Sequence, residues 1–117
     1  MERVLGIGGY FLRASDPAAL SAWYRDSLGL DVDEQGSWRQ EPGPTVFATF
    51  GSGTHYFGSP TQASMLNFRV RDLDAMLAQL RGRGADVAGE SQAMEGVGRF
   101  GWVTDPEGNR IELWQPA

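Results

Sequence analysis

The chain has 117 residues, 41% of them apolar and 21% charged, which is the size and composition of one small globular domain. It contains no cysteine, no lysine and a single histidine, His55, so disulfides, thiolate nucleophiles, Schiff-base lysines and multi-histidine metal sites are excluded. The net charge of −5 argues against nucleic acid or a membrane as a partner, and no segment has the features of a membrane span or a signal peptide, so we expect a cytoplasmic protein.

The first half of the chain is predicted to form a strand, a helix and three further strands. Residues Gly8–Ala14 alternate in polarity, which favours a strand. A helix is expected next, because Asp16 suits the N-cap, Pro17 suits the first helical position, and apolar residues recur with helical spacing up to Gly29. The remaining strands are predicted near Asp31–Gln35, Thr45–Phe50 and Thr54–Gly58, with Gln35–Pro44 as a long polar loop.

The second half repeats this order of predicted elements. A strand is expected at Met65–Val70, followed by a helix that begins after Asp72 and ends near Gly84. The residues Asp105-Pro106-Glu107-Gly108 have the spacing of a type I turn. Strands are predicted near Asp86–Ala88, Arg99–Thr104 and Arg110–Trp114, and Gly89–Gly98 is expected to be a second long loop.

Identical residues recur between the two halves in a constant order. The matches are Arg13 with Arg69, Asp16 with Asp72, Ala19 with Ala75, Ala22 with Ala78, Arg25 with Arg81, Gly29 with Gly84, Asp31 with Asp86 and Val32 with Val87. Such self-similarity indicates two copies of one βαβββ unit. The sequence therefore predicts a single α+β domain over residues 1–117, built from one module at about 5–60 and a second at about 64–115.

Four segments carry a resemblance to known proteins. They are Phe11–Pro17, Trp23–Leu30, Asn67–Asp74 and, most specifically, Asp105–Leu113. Together with the doubled unit, they resemble the glyoxalase, bleomycin-resistance and extradiol-dioxygenase group, the vicinal oxygen chelate superfamily. The resemblance implies two tandem βαβββ modules that form a curved, incompletely closed, barrel-like sheet with the helices on its convex side. It also implies a functional cleft on the concave side and a homodimer.

The resemblance further implies four strand positions at which metal-dependent relatives carry His, Glu or Gln ligands. In this chain those positions hold Gly9, Tyr56, Met65 and Glu112. Only Glu112 is a good ligand for a hard divalent cation, because glycine has no side chain, the methionine sulfur is soft, and tyrosine binds metals only as a phenolate. We therefore expect no cofactor and no tightly bound divalent metal.

Alternation along the strands assigns side chains to the cleft or to the helix layer. In the last strand, Ile111 and Leu113 are expected to face the helices. Aligning the two units places Tyr56 at the position equivalent to Glu112 and turns His55 away from the cleft. The candidate ligand-binding residues are Phe11, Arg13, Tyr56, Met65, Asn67, Arg69, Trp102 and Trp114.

Glu112 is the candidate catalytic residue, and it has two interpretations. Apolar neighbours would withdraw its carboxylate from water and make it a better proton acceptor. Alternatively, Arg13 or Arg69 neutralises it in a structural ion pair. The same two arginines have two interpretations of their own, because they could clamp an anionic ligand between them or pair with nearby aspartates.

These features support functions of different classes. The first is a module that binds a small planar or anionic molecule in a metal-free cleft and sequesters it, as bleomycin-resistance-type relatives do. The alternative is a metal-free lyase or isomerase that uses Glu112 as a proton acceptor. A lesser alternative is a metal-dependent glyoxalase or dioxygenase with a non-standard site.

Overall fold

The computed structural model describes residues 1–117 and contains two helices and a five-stranded, curved, unclosed sheet, which confirms the α+β class. The elements are α1 (Pro17–Leu28), β1 (Asn67–Arg69), α2 (Leu73–Gly82), β2 (Asp86–Val87), β3 (Gln92–Met94), β4 (Gly98–Thr104) and β5 (Arg110–Pro116). The strand order is β1-β5-β4-β2, with β3 also paired to β4. Strand β1 is parallel to β5, and the other pairs are antiparallel.

Both helices begin at the aspartates that the sequence indicates. The Asp16 carboxylate accepts a hydrogen bond from the Ala19 N–H at 3.1 Å, and the Asp72 carboxylate accepts one from the Ala75 N–H at 3.0 Å. These bonds satisfy main-chain donors that have no partner within the helix. Helix α1 ends at Gly29, whose φ of 74° is in the left-handed region that favours glycine.

The two helices cover one face of the sheet and form the core with it. Leu73 and Leu80 of α2 are fully buried against Val103, Ile111 and Leu113 of the sheet. Burial of each such side chain contributes roughly 1.5–3 kcal/mol. Because side chains alternate along a strand, the even-numbered residues of β4 and β5 lie on the opposite, helix-free face. Neither helix combines the length and the apolar character that crossing a membrane requires.

The turn between β4 and β5 is held by a buried carboxylate. Asp105 accepts hydrogen bonds from the Tyr24 hydroxyl of α1 at 2.7 Å and from the main-chain and side-chain N–H groups of Asn109 at 3.0 and 2.8 Å. Burial, together with the bond to Asp105, raises the pKa of Tyr24 above the ordinary range of a phenol. The most specific sequence motif is therefore a structural connection between the sheet and α1.

Glu107 of the same turn adds a second connection to α1. Its carboxylate oxygens accept hydrogen bonds from the main-chain N–H groups of Ser15 at 3.0 Å and Asp16 at 3.1 Å. Because these bonds stabilise the charged form, they hold the pKa of Glu107 below its usual range. A negative charge at this end of the helix also interacts favourably with the helix dipole.

The first unit differs from the sequence prediction, because none of its four expected strands forms. The predicted strands at Gly8–Ala14, Asp31–Gln35, Thr45–Phe50 and Thr54–Gly58 are irregular or turns, and the only pairing nearby is an isolated bridge between Val32 and Trp38. Residues 1–14 and 39–50 make no main-chain hydrogen bonds. A strand requires a neighbouring strand to receive its N–H and C=O groups, and in the single chain these segments have none.

The consequences of these unpaired segments are visible across the molecule. The chain makes 46 main-chain hydrogen bonds, whereas a folded chain of this length typically makes about 80. Apolar side chains remain in solvent, with Leu5 103% and Phe11 95% exposed. In the second unit the strands form close to their predicted positions, although the expected loop at Gly89–Gly98 also contains β3.

Candidate functional site

The helix-free face of the sheet brings polar groups from three strands together around Glu112. In the register of the sheet, Glu112 of β5 is the partner of Asn67 on β1 and of Trp102 on β4. Glu112 is only 8% exposed. Its position in the middle of β5, between two neighbouring strands, therefore places a carboxylate within the sheet surface instead of at its edge.

The Glu112 carboxylate is bound entirely by neutral donors. Its Oε1 accepts a hydrogen bond from Asn67 Nδ2 at 2.7 Å, and its Oε2 accepts bonds from Trp102 Nε1 at 3.0 Å and from the Tyr56 hydroxyl. We call Glu112, Tyr56, Asn67 and Trp102 the carboxylate cluster. Three directed hydrogen bonds hold the carboxylate in one orientation and compensate part of the cost of burying its charge.

Neither arginine that the sequence offered as an ionic partner reaches Glu112. The ion pairs of the structure are Arg25 with Asp26 and Arg99 with Asp74, both near the surface. Arg69 instead donates a hydrogen bond to the main-chain oxygen of Glu41 at 3.0 Å. The Glu112 carboxylate is thus held by hydrogen bonds, and neither Arg13 nor Arg69 forms an ion pair with it.

Tyr56 reaches Glu112 from a turn, although the sequence analysis placed it on a strand. The Tyr56 N–H donates to the Thr54 hydroxyl at 3.1 Å, and the Gly58 N–H donates to the His55 carbonyl at 3.1 Å, so this segment is folded on itself. His55 is exposed to solvent. The alignment of the two units places Tyr56 at the position equivalent to Glu112, and in the structure the two side chains are in contact, while the strand that the alignment assumes is absent.

Aromatic rings near the carboxylate cluster form two groups. Tyr56 meets Trp102 edge to face at 6.1 Å, and Phe50 stacks on Tyr56 at 5.5 Å with an angle of 13° between the rings. Farther along the same face, Phe100 and Trp114 lie parallel with centroids 6.2 Å apart. Flat rings of this kind provide apolar surface suited to stacking against a planar molecule.

A separate open cleft of about 420 Å³ lies along the edge of the sheet; we call it the edge cleft. It is bounded by the N-terminal segment at Phe11 and Arg13, by residues 61–64, and by β5 at Arg110. The candidate ligand-binding residues are therefore divided. Phe11 and Arg13 line the edge cleft, Tyr56, Asn67 and Trp102 surround Glu112, and Met65, Arg69 and Trp114 belong to neither group.

Two residues that were not among the candidates connect these regions. The guanidinium carbon of Arg110 lies 5.3 Å from the centre of the Trp102 ring, so Arg110 borders both the edge cleft and the carboxylate cluster. The side chain of Gln62 makes hydrogen bonds with the Arg110 N–H and C=O, each at 2.8 Å. Strand alternation places Arg110 on the same face as Glu112, two residues later, whereas no sequence signal indicated Gln62.

The four positions equivalent to metal ligands do not suit a divalent cation. The oxygens of Glu112 already accept bonds from Tyr56, Asn67 and Trp102, whose hydrogens occupy the space that a cation would need. Of the other positions, Gly9 supplies no side-chain donor and Met65 supplies only a soft sulfur. A metal at this site would require three donors to turn away and would gain one carboxylate in return.

The geometry predicts an unusually weak acid at Tyr56. Burial, and then the hydrogen bond to Glu112, raise the pKa of Tyr56 to about 12. In an alkaline absorbance titration, the difference between wild type and Tyr56→Phe reports the ionisation of Tyr56. We expect its midpoint near pH 12 in the folded protein and near pH 10 in the urea-unfolded chain. Above pH about 10 the unfolded chain releases this proton while the folded one retains it, so folding stability falls as pH rises through this range.

The matched comparison is the pH dependence of unfolding in the two proteins. Wild-type stability should fall more steeply than that of Tyr56→Phe between pH about 10 and 12, because only the wild type retains this proton on folding. Ionisation of Tyr56 near pH 10 in the folded protein would show that Tyr56 does not donate to Glu112 in solution.

Comparisons with known proteins agree with this architecture. The model of a family described as a glyoxalase-like domain matches residues 10–114. No curated protein matches the sequence. Similar solved structures include TnmS3, an antibiotic binding protein from Streptomyces sp. CB03234 (24% identity, 100% of both chains, TM-score 0.66). A second is a glyoxalase/bleomycin resistance protein from the same source (26% identity, 89% of this chain and 95% of that chain, TM-score 0.57). A third is a lactoylglutathione lyase from Agrobacterium tumefaciens (20% identity, 97% of this chain and 96% of that chain, TM-score 0.61). This chain belongs to the glyoxalase-like domain family.

Proposed function

We propose that this protein binds a small planar molecule on the helix-free face of its sheet and holds it without chemical change. The observation that carries the proposal is the carboxylate cluster. At the one metal-ligand position of the superfamily that retains a carboxylate, Glu112 is bound by three neutral donors. A carboxylate held in this way serves as a fixed hydrogen-bonding centre among aromatic rings.

The aromatic rings favour a planar ligand. Phe50 and Tyr56 lead away from the cluster on one side, and Phe100 and Trp114 lie on the same face of the sheet. A ligand in contact with such rings gains from burial and from stacking, about 0.5–1.5 kcal/mol for each aromatic pair beyond the area buried. TnmS3, an antibiotic binding protein, matches this chain over the whole length of both, so binding of a small molecule is a function that a protein of this fold performs, which supports the proposal.

The functional form is proposed to be a homodimer in which a second copy pairs with the first unit. Residues 1–14 and 39–50 present unpaired main-chain groups next to exposed apolar side chains, such as Leu5 and Phe47. A second copy offers the matching segments by symmetry, so that the predicted strands of the first unit would form between chains. In this arrangement the second βαβββ module would stand beside a completed first module, and both would enclose the cleft.

Native mass spectrometry of gently purified, untagged protein tests these proposals together, because it reports subunit number, retained organic molecules and bound metal. We expect a dimer with no metal, and either a retained organic molecule or bare polypeptide mass. A monomer would contradict the paired first unit. One divalent ion per chain would contradict the metal-free cleft and would favour glyoxalase or dioxygenase chemistry.

One contact favours an enzymatic alternative. The Tyr56 hydroxyl donates to Glu112, which provides a route by which a proton could pass between a bound molecule and the carboxylate. A metal-free lyase or isomerase would use Glu112 as the proton acceptor. Chemical change of a bound compound by wild type, lost in Glu112→Gln while binding persists, would establish this alternative over simple binding.

A further inference from the structure

We infer that Gln62 is the positioning residue of the carboxylate cluster, because its side chain docks the segment that carries Tyr56 onto β5 beside Glu112. This role concerns the site of the proposed function and goes beyond it, since it holds whatever molecule the site binds. Within the cluster, Asn67, Trp102 and Glu112 lie on paired strands of the sheet, whereas Tyr56 lies on no strand. Tyr56 therefore needs a connection to the sheet other than strand pairing.

The segment of residues 51–64, which carries Tyr56, has few interactions that could hold it against the sheet. Its main-chain hydrogen bonds each close a turn within the segment, and none of its residues is fully buried. Only two of its residues make hydrogen bonds with the sheet, namely Tyr56, through its hydroxyl, and Gln62. The position of Tyr56 thus depends on Gln62 as the second point of attachment.

The side-chain amide of Gln62 pairs with β5 as the main chain of a neighbouring strand would. Its Oε1 accepts a hydrogen bond from the Arg110 N–H, and its Nε2 donates one to the Arg110 C=O, each at 2.8 Å. Strand β1 pairs with β5 only over Glu112–Trp114, so Gln62 continues this edge of β5 as far as Arg110. One planar group that both accepts and donates is needed here, and a glutamine amide provides it, whereas a carboxylate or an apolar side chain does not.

Attachment at Arg110 places the segment beside the rest of the cluster. Arg110 lies two residues before Glu112 on the same face of β5, about 7 Å away along the strand. Gly58, two residues after Tyr56, lies against the Arg110 side chain, since a Cβ on Gly58 would be 3.2 Å from Arg110 Cδ. The Arg110 guanidinium carbon lies 5.3 Å from the centre of the Trp102 ring, whose N–H shares Oε2 of Glu112 with the Tyr56 hydroxyl. The contacts of the segment with Arg110 thus bring Tyr56 within reach of Glu112.

A double-mutant cycle between Gln62→Ala and Tyr56→Phe, measured by urea unfolding, tests this role of Gln62. Tyr56→Phe removes only the hydroxyl that donates to Glu112. We expect this substitution to lower the stability of wild type and to lose at least half of that effect in Gln62→Ala, because the ring is then no longer held at Glu112. Gln62→Glu retains the acceptor for the Arg110 N–H and loses the donor, so it should give an intermediate result.

Gln79→Ala is the matched control, because the Gln79 amide donates to the Ser27 carbonyl at 2.8 Å and joins α2 to α1 instead of reaching the sheet. In this variant Tyr56→Phe should cost as much as in wild type. An undiminished effect of Tyr56→Phe in Gln62→Ala would overturn the inference, and so would an equal reduction in Gln79→Ala or no effect in wild type. Circular dichroism establishes that each variant is folded, and Gln62→Glu, which retains the size of the side chain, covers the case in which Gln62→Ala is not.

Binding of naphthalene-2-carboxamide, a neutral planar probe, extends the test to the proposed function. Tyr56→Ala removes the ring and should weaken binding, followed by quenching of tryptophan fluorescence, by roughly two- to tenfold. Gln62→Ala should weaken it by the same factor, with no further loss when the two are combined, and unchanged binding in Gln62→Ala would overturn the inference. Failure of wild type to bind the probe would count against the proposed function alone, because the unfolding cycle needs no ligand.

Discussion

Glu112→Ala is expected to lower the free energy of unfolding by about 2–4 kcal/mol, whereas Glu112→Gln should change it by less than about 1 kcal/mol. Alanine removes the acceptor of three hydrogen bonds at once. The indole N–H of Trp102 suffers most, because Trp102 is 4% exposed and water cannot replace the lost carboxylate. Tyr56 and Asn67 are more exposed and can turn to solvent.

Glutamine preserves the hydrogen bonds by a local rearrangement. Its carbonyl oxygen can accept from Tyr56 and Trp102, as Oε2 of Glu112 does. Its amide N–H₂ then faces Asn67, whose side chain can satisfy it by rotating to present its oxygen. The variant therefore removes the charge and the proton acceptor while retaining the packing.

Urea unfolding followed by tryptophan fluorescence measures both variants, with unchanged m-values as the sign that the unfolded state is not altered. An equal loss of stability in Glu112→Gln and Glu112→Ala would contradict the neutral donors assigned to the carboxylate cluster, because it would mean that stability depends on the attraction between the negative charge of Glu112 and a nearby cation. The same glutamine variant separates binding from catalysis, since the proposed binding function predicts that it still holds a planar molecule.

The parts of the fold that the sequence predicts well are those stabilised by local interactions. The starts of both helices could be predicted, because the carboxylates of Asp16 and Asp72 each accept a hydrogen bond from the main-chain N–H three residues later. Strands β4 and β5 are joined by the short turn at Asp105, so alternation and turn spacing suffice to place them. In these cases the partner of each residue is close in sequence.

The strands of the first unit could not be predicted in the same way. The segment at Gly8–Ala14 has the alternating polarity of a strand, but this pattern does not indicate which other strand would pair with it. Within one chain no such neighbour is present. The contribution of Gln62 to the site was unpredictable for a related reason, because its bonds to Arg110 join residues that are 48 positions apart.

Glu112 shows how far the family resemblance extends. The resemblance singled out Glu112, and the repeat placed Tyr56 at the equivalent position; in the structure the Tyr56 hydroxyl donates a hydrogen bond to Glu112. The other donors, Asn67 and Trp102, were expected to contact a ligand, whereas in the structure each donates a hydrogen bond to the carboxylate. Alternation indicates which face a side chain occupies, but it does not indicate whether that side chain binds a ligand or another residue.

Gly98→Ala is expected to be the most damaging small substitution near the candidate site, with a loss of about 3 kcal/mol or more from strain and overpacking together. Gly98 begins β4 with a φ of 134°, which is strained for any residue with a side chain. A Cβ at this position would lie 2.1 Å from the Gln115 carbonyl oxygen and 2.9 Å from Trp114 Nε1. The first of these atoms belongs to the main chain and cannot turn away.

The effect should extend from the end of β4 to the aromatic face. Trp114 Nε1 donates to the Val97 carbonyl at 2.9 Å, and the indole stacks on Phe100. Displacing the strand end would break this bond and tilt the ring, so we expect a reduced near-ultraviolet circular dichroism signal together with the loss of stability.

Gly36→Ala is the matched control for Gly98→Ala. Gly36 has a φ of 84°, and a Cβ at this position would meet no atom within 4 Å, so alanine there should cost only the conformational penalty. That penalty is about 1–2 kcal/mol. The difference between the two variants in urea unfolding therefore measures the steric contribution together with the larger backbone strain at Gly98. Equal losses would show that residues 115–117 move away from β4 easily, and the parallel stack of Phe100 and Trp114 would then not be a rigid platform for a planar ligand.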